Sequence, residues 1–172
     1  MTKLATRLVM VFALLTAGFT QAAQDNPQIV LKTEIGDILV ELFPKAAPVS
    51  VDNFVKLVND YHYDGLIFHR VISGFMIQAG GFTFDFSPRE SSRGSIVNES
   101  SNGLKNKRGT LAMARMNDPD SASAQFFINH KPNGFLNPKG DNKGYAVFGA
   151  VVAGINVVDA IAAVETQTLG YY

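Results

Sequence analysis

Five short apolar runs, each bounded by Gly, Asn or Pro, constrain this chain more than any other feature. They are Leu66–Ile72, Phe75–Gln78, Thr110–Ala114, Gln125–Asn129 and Tyr145–Val152. Runs of this length between turn residues are typical of β-strands, because ordinary helices need longer periodic segments. No period of 20–50 residues repeats and no linker divides the chain, so we expect a single, mainly β domain.

The remaining elements are one hairpin and two helices. The segments Ile29–Thr33 and Asp37–Leu42 flank a turn at Gly36, which predicts a β-hairpin. Apolar residues recur at helical spacing in Val49–Asn59, and a second short helix is expected from Ile155 to Val164. Many short strands with two helices favour a closed antiparallel barrel that has a helix at each end. A β-sandwich is the alternative.

The first 22 residues resemble a targeting signal. Lys3 and Arg7 precede an uncharged apolar run from Leu8 to Phe19, and small residues follow it at the spacing of a signal-peptidase site. A membrane anchor is the alternative, but the run is shorter than the roughly 20 residues that a bilayer core requires. We expect cleavage after Ala22, or one residue later, which gives a signal peptide at 1–22 and one domain at 23–172.

Composition excludes several classes of function. Removal of the signal peptide leaves 13 basic and 15 acidic residues, a poor electrostatic match to nucleic acid or to an anionic membrane. The chain has no cysteine, which excludes disulfides, thiolate zinc sites and a cysteine nucleophile. The three histidines, His62, His69 and His130, are scattered, and we expect them to be structural or solvated. No metal site and no cofactor are therefore expected.

Arg70 lies in an otherwise apolar, strand-like stretch. A buried guanidinium is costly without partners, so this side chain should either form an ion pair or point into a groove. Side chains alternate along a strand, which places Arg70 and His69 on opposite faces. The same alternation places Met76 with Gln78, and Gln125 with Phe127.

These pairs predict one surface built from two distant parts of the chain. It carries Arg70, Met76, Gln78, Gln125 and Phe127, while the other apolar residues fill the barrel. The alternative is that Met76 and Phe127 are ordinary core residues.

Four ordered blocks of sequence resemble the cyclophilin family of peptidyl-prolyl cis–trans isomerases. They read F-H-R-V-I-S-G-F-M-I-Q-A-G-G, M-A-R, S-A-Q-F-F-I and Y-A-V-F-G. The resemblance extends from about Gln28 to the last residue and is strongest to the bacterial, periplasmic branch. It implies an eight-stranded antiparallel barrel capped by two α-helices, an isomerase of X–Pro bonds, and a periplasmic location.

The resemblance also implies a role for each matching residue. Arg70 corresponds to the catalytic arginine, and Gln78 is expected to orient it or to bind the substrate backbone. The apolar proline pocket is expected to be lined by Phe75, Met76, Phe127 and Leu136. Residues before the proline are expected to contact Ala114, Arg115 and Gln125. Arg115 replaces the Asn of many relatives, so its backbone contact carries over more safely than its side chain.

Two aromatic positions differ from many eukaryotic relatives. Phe135 stands in place of a Trp whose indole N–H binds cyclosporin, and a phenyl ring has no such donor. We therefore expect weak cyclosporin binding. Tyr145 stands in place of a His and is still expected to close the wall of the pocket.

The chain also stops before the strand that closes the barrel in the family. The expectation is a barrel that lacks its last strand, with an exposed edge that favours aggregation and a lower stability than longer relatives.

The sequence thus predicts a monomeric isomerase whose partners are proline-containing polypeptides. Two other functions use the same features. A proline-peptide binding module or chaperone would share the pocket, and a lipocalin-type barrel would need an apolar cavity that this density of large side chains argues against. Neither the clients nor a preference for the residue before proline follows from the sequence.

Overall fold

The computed structural model describes residues 26–168, in which one antiparallel sheet carries the fold. Its strands are β1 (Gln28–Thr33), β2 (Gly36–Leu42), β3 (Arg70–Ile72), β4 (Met76–Ala79), β5 (Thr110–Met113), β6 (Phe126–Asn129) and β7 (Val147–Ala153). They are arranged in the order β1-β2-β7-β5-β6-β4-β3. The sheet curls into a half-barrel, and within the described residues β1 and β3 are its two ends.

The predicted mainly β class, the hairpin and both helices are confirmed. Helix α1 spans Pro48–Asn59 and helix α2 spans Ile155–Ala162, and a short 3-10 helix covers Gly134–Leu136. Seven strands are described where the family pattern has eight. The predicted signal peptide and the last four residues lie outside the described part of the chain. No helix within residues 26–168 is long and apolar enough to cross a membrane.

The expected strand at Leu66–Ile72 is largely wrong. Only Arg70–Ile72 forms a ladder, paired with β4, while Leu66 makes an isolated bridge to Thr83. Residues 67–69 have no strand partner, and this part of the chain is irregular. The apolar pattern alone could not show this, because a strand also requires a neighbour at the right register.

A distant carboxylate holds the start of α1. Pro48 lies at the first helical positions, where its missing N–H costs nothing. Glu99 accepts hydrogen bonds from the backbone N–H groups of Val49, at 3.0 Å, and Ser50, at 2.8 Å. The Ser50 hydroxyl donates to the same carboxylate at 2.7 Å. This contact satisfies free donors at the helix terminus and fixes the loop that contains Glu99.

The sheet buries apolar side chains on both of its faces. The larger core lies under the helices and includes Phe54, Ile77, Ile128 and Phe148. A smaller cluster lies on the other face; its buried members are Met76, Ala112, Phe127, Leu136 and Val147. Chain neighbours such as Ile77 and Met76 therefore belong to different clusters, as strand alternation requires. Met76 and Phe127 are buried, but not in the main core.

Candidate active site

A row of directly paired residues crosses five strands on the face of the smaller cluster. Arg70 pairs with Gln78, and Gln78 pairs with Phe127. Phe127 pairs in turn with Ala112, and Ala112 with Val147. One end of the row is therefore cationic and polar, and the other end is apolar. Of the surface predicted from alternation, Arg70, Gln78 and Phe127 lie in this row.

Gln78 orients the side chain of Arg70, and no acidic group among the described residues neutralises its charge. Its side chain is exposed, and none of the ion pairs found among residues 26–168 includes it. Its Nη1 donates to Gln78 Oε1 at 3.5 Å, a long contact that guides the guanidinium more than it binds it. Gln78 Nε2 donates to Gln125 Oε1 at 2.8 Å. Arg70 therefore has no ion pair among the described residues, and the groove stays a prediction.

Close packing against Gly81 confines the Gln125 side chain, which accepts the hydrogen bond from Gln78. A Cβ atom added at Gly81 would lie 2.5 Å from Gln125 Nε2, so glycine leaves the room that the side chain needs. His69 lies nearby and packs against Phe82, with ring centroids 4.7 Å apart. Burial lowers the pKa of His69. Hydrogen bonds with Ile67 and Gln125 partly oppose this effect, and the charge of Arg70 makes the smallest contribution, which also lowers the pKa. A neutral His69 adds no positive charge beside Arg70.

The predicted placement of His69 on the face opposite Arg70 rested on a strand that does not form there. Because β3 begins at Arg70, alternation does not apply to the residue before it.

The apolar end of the row is a shallow pocket. Met76 and Phe127 form its buried floor and Leu136 lies at its side, at 1%, 4% and 9% exposure. Phe75 is half-buried and stacks on Phe135, with ring centroids 5.6 Å apart and planes 26° from parallel. Phe135 itself is 71% exposed, so it forms an open rim. The four side chains that were expected to line the proline pocket therefore belong to one cluster.

Tyr145 and Arg115 build the opposite wall. The ring of Tyr145 meets Phe127 edge to face at a centroid distance of 5.7 Å. Arg115 places its Cζ 4.6 Å from the centre of the Tyr145 ring, and its Nε donates to the Gly144 carbonyl at 3.0 Å. The Arg115 side chain thus supports the wall.

Ala114 lies between this wall and the amides. Its N–H donates to the Gln125 carbonyl at 2.9 Å, which fixes Ala114 against the segment that carries Gln125.

A buried network of asparagines supports the pocket, and the sequence analysis missed it. Asn133 Nδ2 donates to the Phe75 carbonyl at 2.9 Å and to Asn129 Oδ1 at 2.7 Å. Asn129 donates to Asn106 Oδ1 at 3.1 Å, and Asn137 Oδ1 accepts the Asn106 N–H at 2.8 Å. These amides connect the end of β6 to the 3-10 helix that carries Phe135 and Leu136. The four asparagines near the apolar runs were the only feature of the sequence that could have indicated this network.

No group of three or more His, Asp or Glu side chains within residues 26–168 is arranged to hold a metal ion. The site itself offers a guanidinium next to apolar side chains, with side-chain amides beside it. Such a site can hold a small apolar ring and present hydrogen-bond donors to the polar group next to it.

Comparison with known proteins gives one consistent result. The family model described as "Cyclophilin type peptidyl-prolyl cis-trans isomerase/CLD" matches residues 28–170. A peptidyl-prolyl cis-trans isomerase of Acinetobacter baylyi is 50% identical over 147 residues, which cover 86% of this chain and 78% of that protein. Peptidyl-prolyl cis-trans isomerase B of Escherichia coli K12 is 47% identical, over 84% of this chain and 89% of that protein.

Among solved structures, a cyclophilin-type isomerase of Cryptosporidium parvum, crystallised in the presence of the dipeptide Ala-Pro, is similar in fold. The TM-score is 0.69 at 26% sequence identity, over 82% of this chain and 88% of that one.

Proposed function

The chain belongs to the cyclophilin-type peptidyl-prolyl cis-trans isomerases, and on that premise we propose that Arg70 is its catalytic group and that it acts on secreted proteins in the periplasm. Isomerisation of X–Pro bonds is the activity of the family. The role of Arg70, the roles of the pocket residues and the location are the proposal.

Rotation about an X–Pro bond is slow because it breaks amide resonance, with a barrier of about 18–20 kcal/mol. In the rotated state the lone pair returns to the prolyl nitrogen. A donor that faces this nitrogen stabilises the rotated amide more than the planar one, which is the condition for catalysis. Arg70 is permanently charged, rich in N–H donors and free of an acidic partner among the described residues. No proton transfer is required.

The pocket holds the proline ring while the preceding carbonyl rotates. Met76, Phe127 and Leu136 offer an apolar floor and side, and Phe75 with Phe135 forms the rim. Gln78 keeps Arg70 in place, and Gln125 holds Gln78. The Ala114 carbonyl and the wall of Arg115 and Tyr145 bind the residues that precede proline.

The observation that carries the proposal is the row of paired residues in which only Gln78 separates Arg70, which has no ion pair among the described residues, from the buried Phe127. A protease-coupled assay on an X–Pro peptide tests it with the wild type, Arg70→Ala and Arg70→Lys. We expect Arg70→Ala to lower kcat/KM by about 100-fold, the usual loss for one transition-state donor. The kcat/KM of Arg70→Lys should lie between those of the wild type and Arg70→Ala, because an ammonium keeps the charge but lacks the planar set of N–H donors of a guanidinium.

Peptide binding is measured in parallel by fluorescence titration. Retained binding with lost turnover supports a catalytic role for Arg70. An Arg70→Ala variant that keeps its turnover contradicts it. A wild type that binds the peptide without accelerating isomerisation supports the proline-peptide binding module instead.

The periplasmic location is supported by the N-terminal pattern of basic residues, apolar run and small residues at 1–22. Expression of the full chain in a Gram-negative host, followed by osmotic shock and mass spectrometry, tests it. The expected product is a periplasmic protein that begins at Ala23. Recovery of the unprocessed chain in the cytoplasm contradicts the proposal.

A further inference from the structure

We propose that His130 is a positioning residue for the proline pocket, because it connects the turn before Phe75 to α2. This inference rests on the proposed role of Phe75 in the pocket. The Gly74 N–H donates to His130 Nδ1 at 3.0 Å. The other ring nitrogen, Nε2, lies 3.1 Å from Asp159 Oδ1. A backbone N–H can only donate, so Nδ1 must accept, and the ring proton of the neutral imidazole is on Nε2, facing the carboxylate.

The turn needs this partner. Phe75 N–H donates to the Ile72 carbonyl at 3.0 Å, which closes a β-turn with Ser73 and Gly74 at its centre. The positive φ of Gly74, 74°, favours glycine at this position. The Gly74 N–H lies at the centre of the turn and would otherwise face solvent, so the imidazole supplies its protein acceptor. The ring itself is only 14% exposed.

The far side of the contact is anchored by an ion pair. Arg108 donates to both carboxylate oxygens of Asp159, each at 2.8 Å, and also to the His130 carbonyl at 2.8 Å. The hydrogen bonds from Arg108 hold the pKa of Asp159 below its usual range. The acceptor for Nε2 therefore stays ionised and fixed. Arg108 and Asp159 are the charged groups that face the imidazole.

His130 fixes the pocket residue from two directions. Its ring holds the Gly74 peptide unit, and its backbone N–H donates to the Phe75 carbonyl at 2.9 Å. Phe75 is thus constrained on both sides, and it carries the stacked ring of Phe135. Loss of the ring contact should loosen the turn and the rim of the pocket without touching Arg70. The expected defect is in substrate binding more than in turnover.

The test compares His130→Phe, which fills the site without hydrogen bonds, with His130→Gln, which keeps an acceptor and a donor. Wild type and Arg70→Ala are measured alongside, so that a failure of the proposed function is seen separately. We expect His130→Phe to raise KM by about three- to tenfold with little change in kcat. His130→Gln should recover most of the loss.

Two further measurements separate positioning from general instability. The Gly74 amide hydrogen should exchange faster in His130→Phe at pH 7, as observed by NMR. Lys56→Met, which removes the exposed ion pair with Asp52 on α1, serves as a matched control that changes neither KM nor exchange at Gly74. A His130→Phe variant with unchanged KM and unchanged exchange overturns the proposal. So does a defect that His130→Gln does not rescue.

Discussion

At the scale of single residues, the site depends on an arginine that lacks a strong partner. A salt bridge would occupy N–H donors of Arg70 whether the substrate amide is planar or rotated. Fewer donors would then remain to stabilise the rotated amide. The 3.5 Å contact to Gln78 and the 2.8 Å bond from Gln78 to Gln125 restrict the guanidinium without consuming its charge. Arg70 is thus held by neutral amides, so under the proposed mechanism its full charge remains available to the substrate.

Phe135 leads to a prediction about cyclosporin. Its ring is exposed and stacked on Phe75, in a position where a larger ring would fit without clashing with the core. Phe135→Trp adds an indole N–H donor to the rim. Isothermal titration should show weak cyclosporin binding by the wild type and binding about tenfold tighter by the variant. Tight binding by the wild type, or no gain in the variant, contradicts this.

His69 leads to a prediction about stability and pH. Its pKa in the folded chain is lowered, mainly by burial, from about 6.5 in the unfolded chain. Above about pH 6.5 the residue is neutral in both states and has no effect. As the pH falls below that value, the unfolded chain takes up the proton first, so the free energy of unfolding decreases until the folded residue also titrates.

Urea unfolding of the wild type and His69→Gln between pH 5 and 8 measures this effect. The difference in the free energy of unfolding between the two proteins should be constant above about pH 6.5. Below that pH the wild type should lose stability relative to His69→Gln. The lowered pKa of Asp159 does not interfere, because its linked loss of stability begins below about pH 4. A difference that stays constant over the whole range contradicts the prediction.

At the scale of secondary-structure elements, Glu99 and α1 give a prediction about stability. Glu99→Ala removes acceptors for two backbone N–H groups and for the buried Ser50 hydroxyl. The expected loss is about 1–2 kcal/mol in the free energy of unfolding, similar to the loss of a helix cap. Lys56→Met on the same helix, whose ion pair is exposed, should change little. Equal effects of the two substitutions would show that Glu99 does not act as a cap.

Elements with clear local signals were predicted well, but the missing strand before Arg70 was not. The periodicity of Val49–Asn59 and the turn at Gly36 define α1 and the first hairpin within one residue or so. The stretch before Arg70 has the same apolar pattern as a strand, but it has no ladder partner beyond Leu66. Pairing is a property of the whole sheet, so a single run of sequence does not report it.

The same distinction applies to the site. Alternation correctly grouped Met76 with Gln78, because both lie inside β4, and it failed for His69, just outside β3. The buried asparagines around Asn129 escaped notice because they join four separate segments through side-chain amides. Contacts of this kind have no fixed spacing in sequence. The resemblance to a family identified the pocket residues, whereas the groups that support them became visible only in the structure.

At the scale of the whole molecule, the two faces of the sheet have different roles, one in stability and the other in the proposed function. The core under the helices holds the half-barrel together, and the smaller cluster on the opposite face forms the pocket. Adjacent residues of β6 illustrate the division. Ile128 is fully buried in the main core, whereas Phe127 forms the pocket floor and lies directly beside Gln78 in the ladder.

A matched pair of substitutions tests this separation. Ile128→Val should lower the free energy of unfolding by about 0.5–1.5 kcal/mol, because it removes one buried methylene, and should leave kcat/KM within about twofold of the wild type. Phe127→Leu should raise KM by about tenfold, because the proline ring loses an aromatic floor. Urea unfolding and the isomerase assay are measured on the same samples. If Ile128→Val impairs catalysis as much as Phe127→Leu does, the two faces are mechanically coupled, and the pocket cannot be treated as an independent layer on the half-barrel.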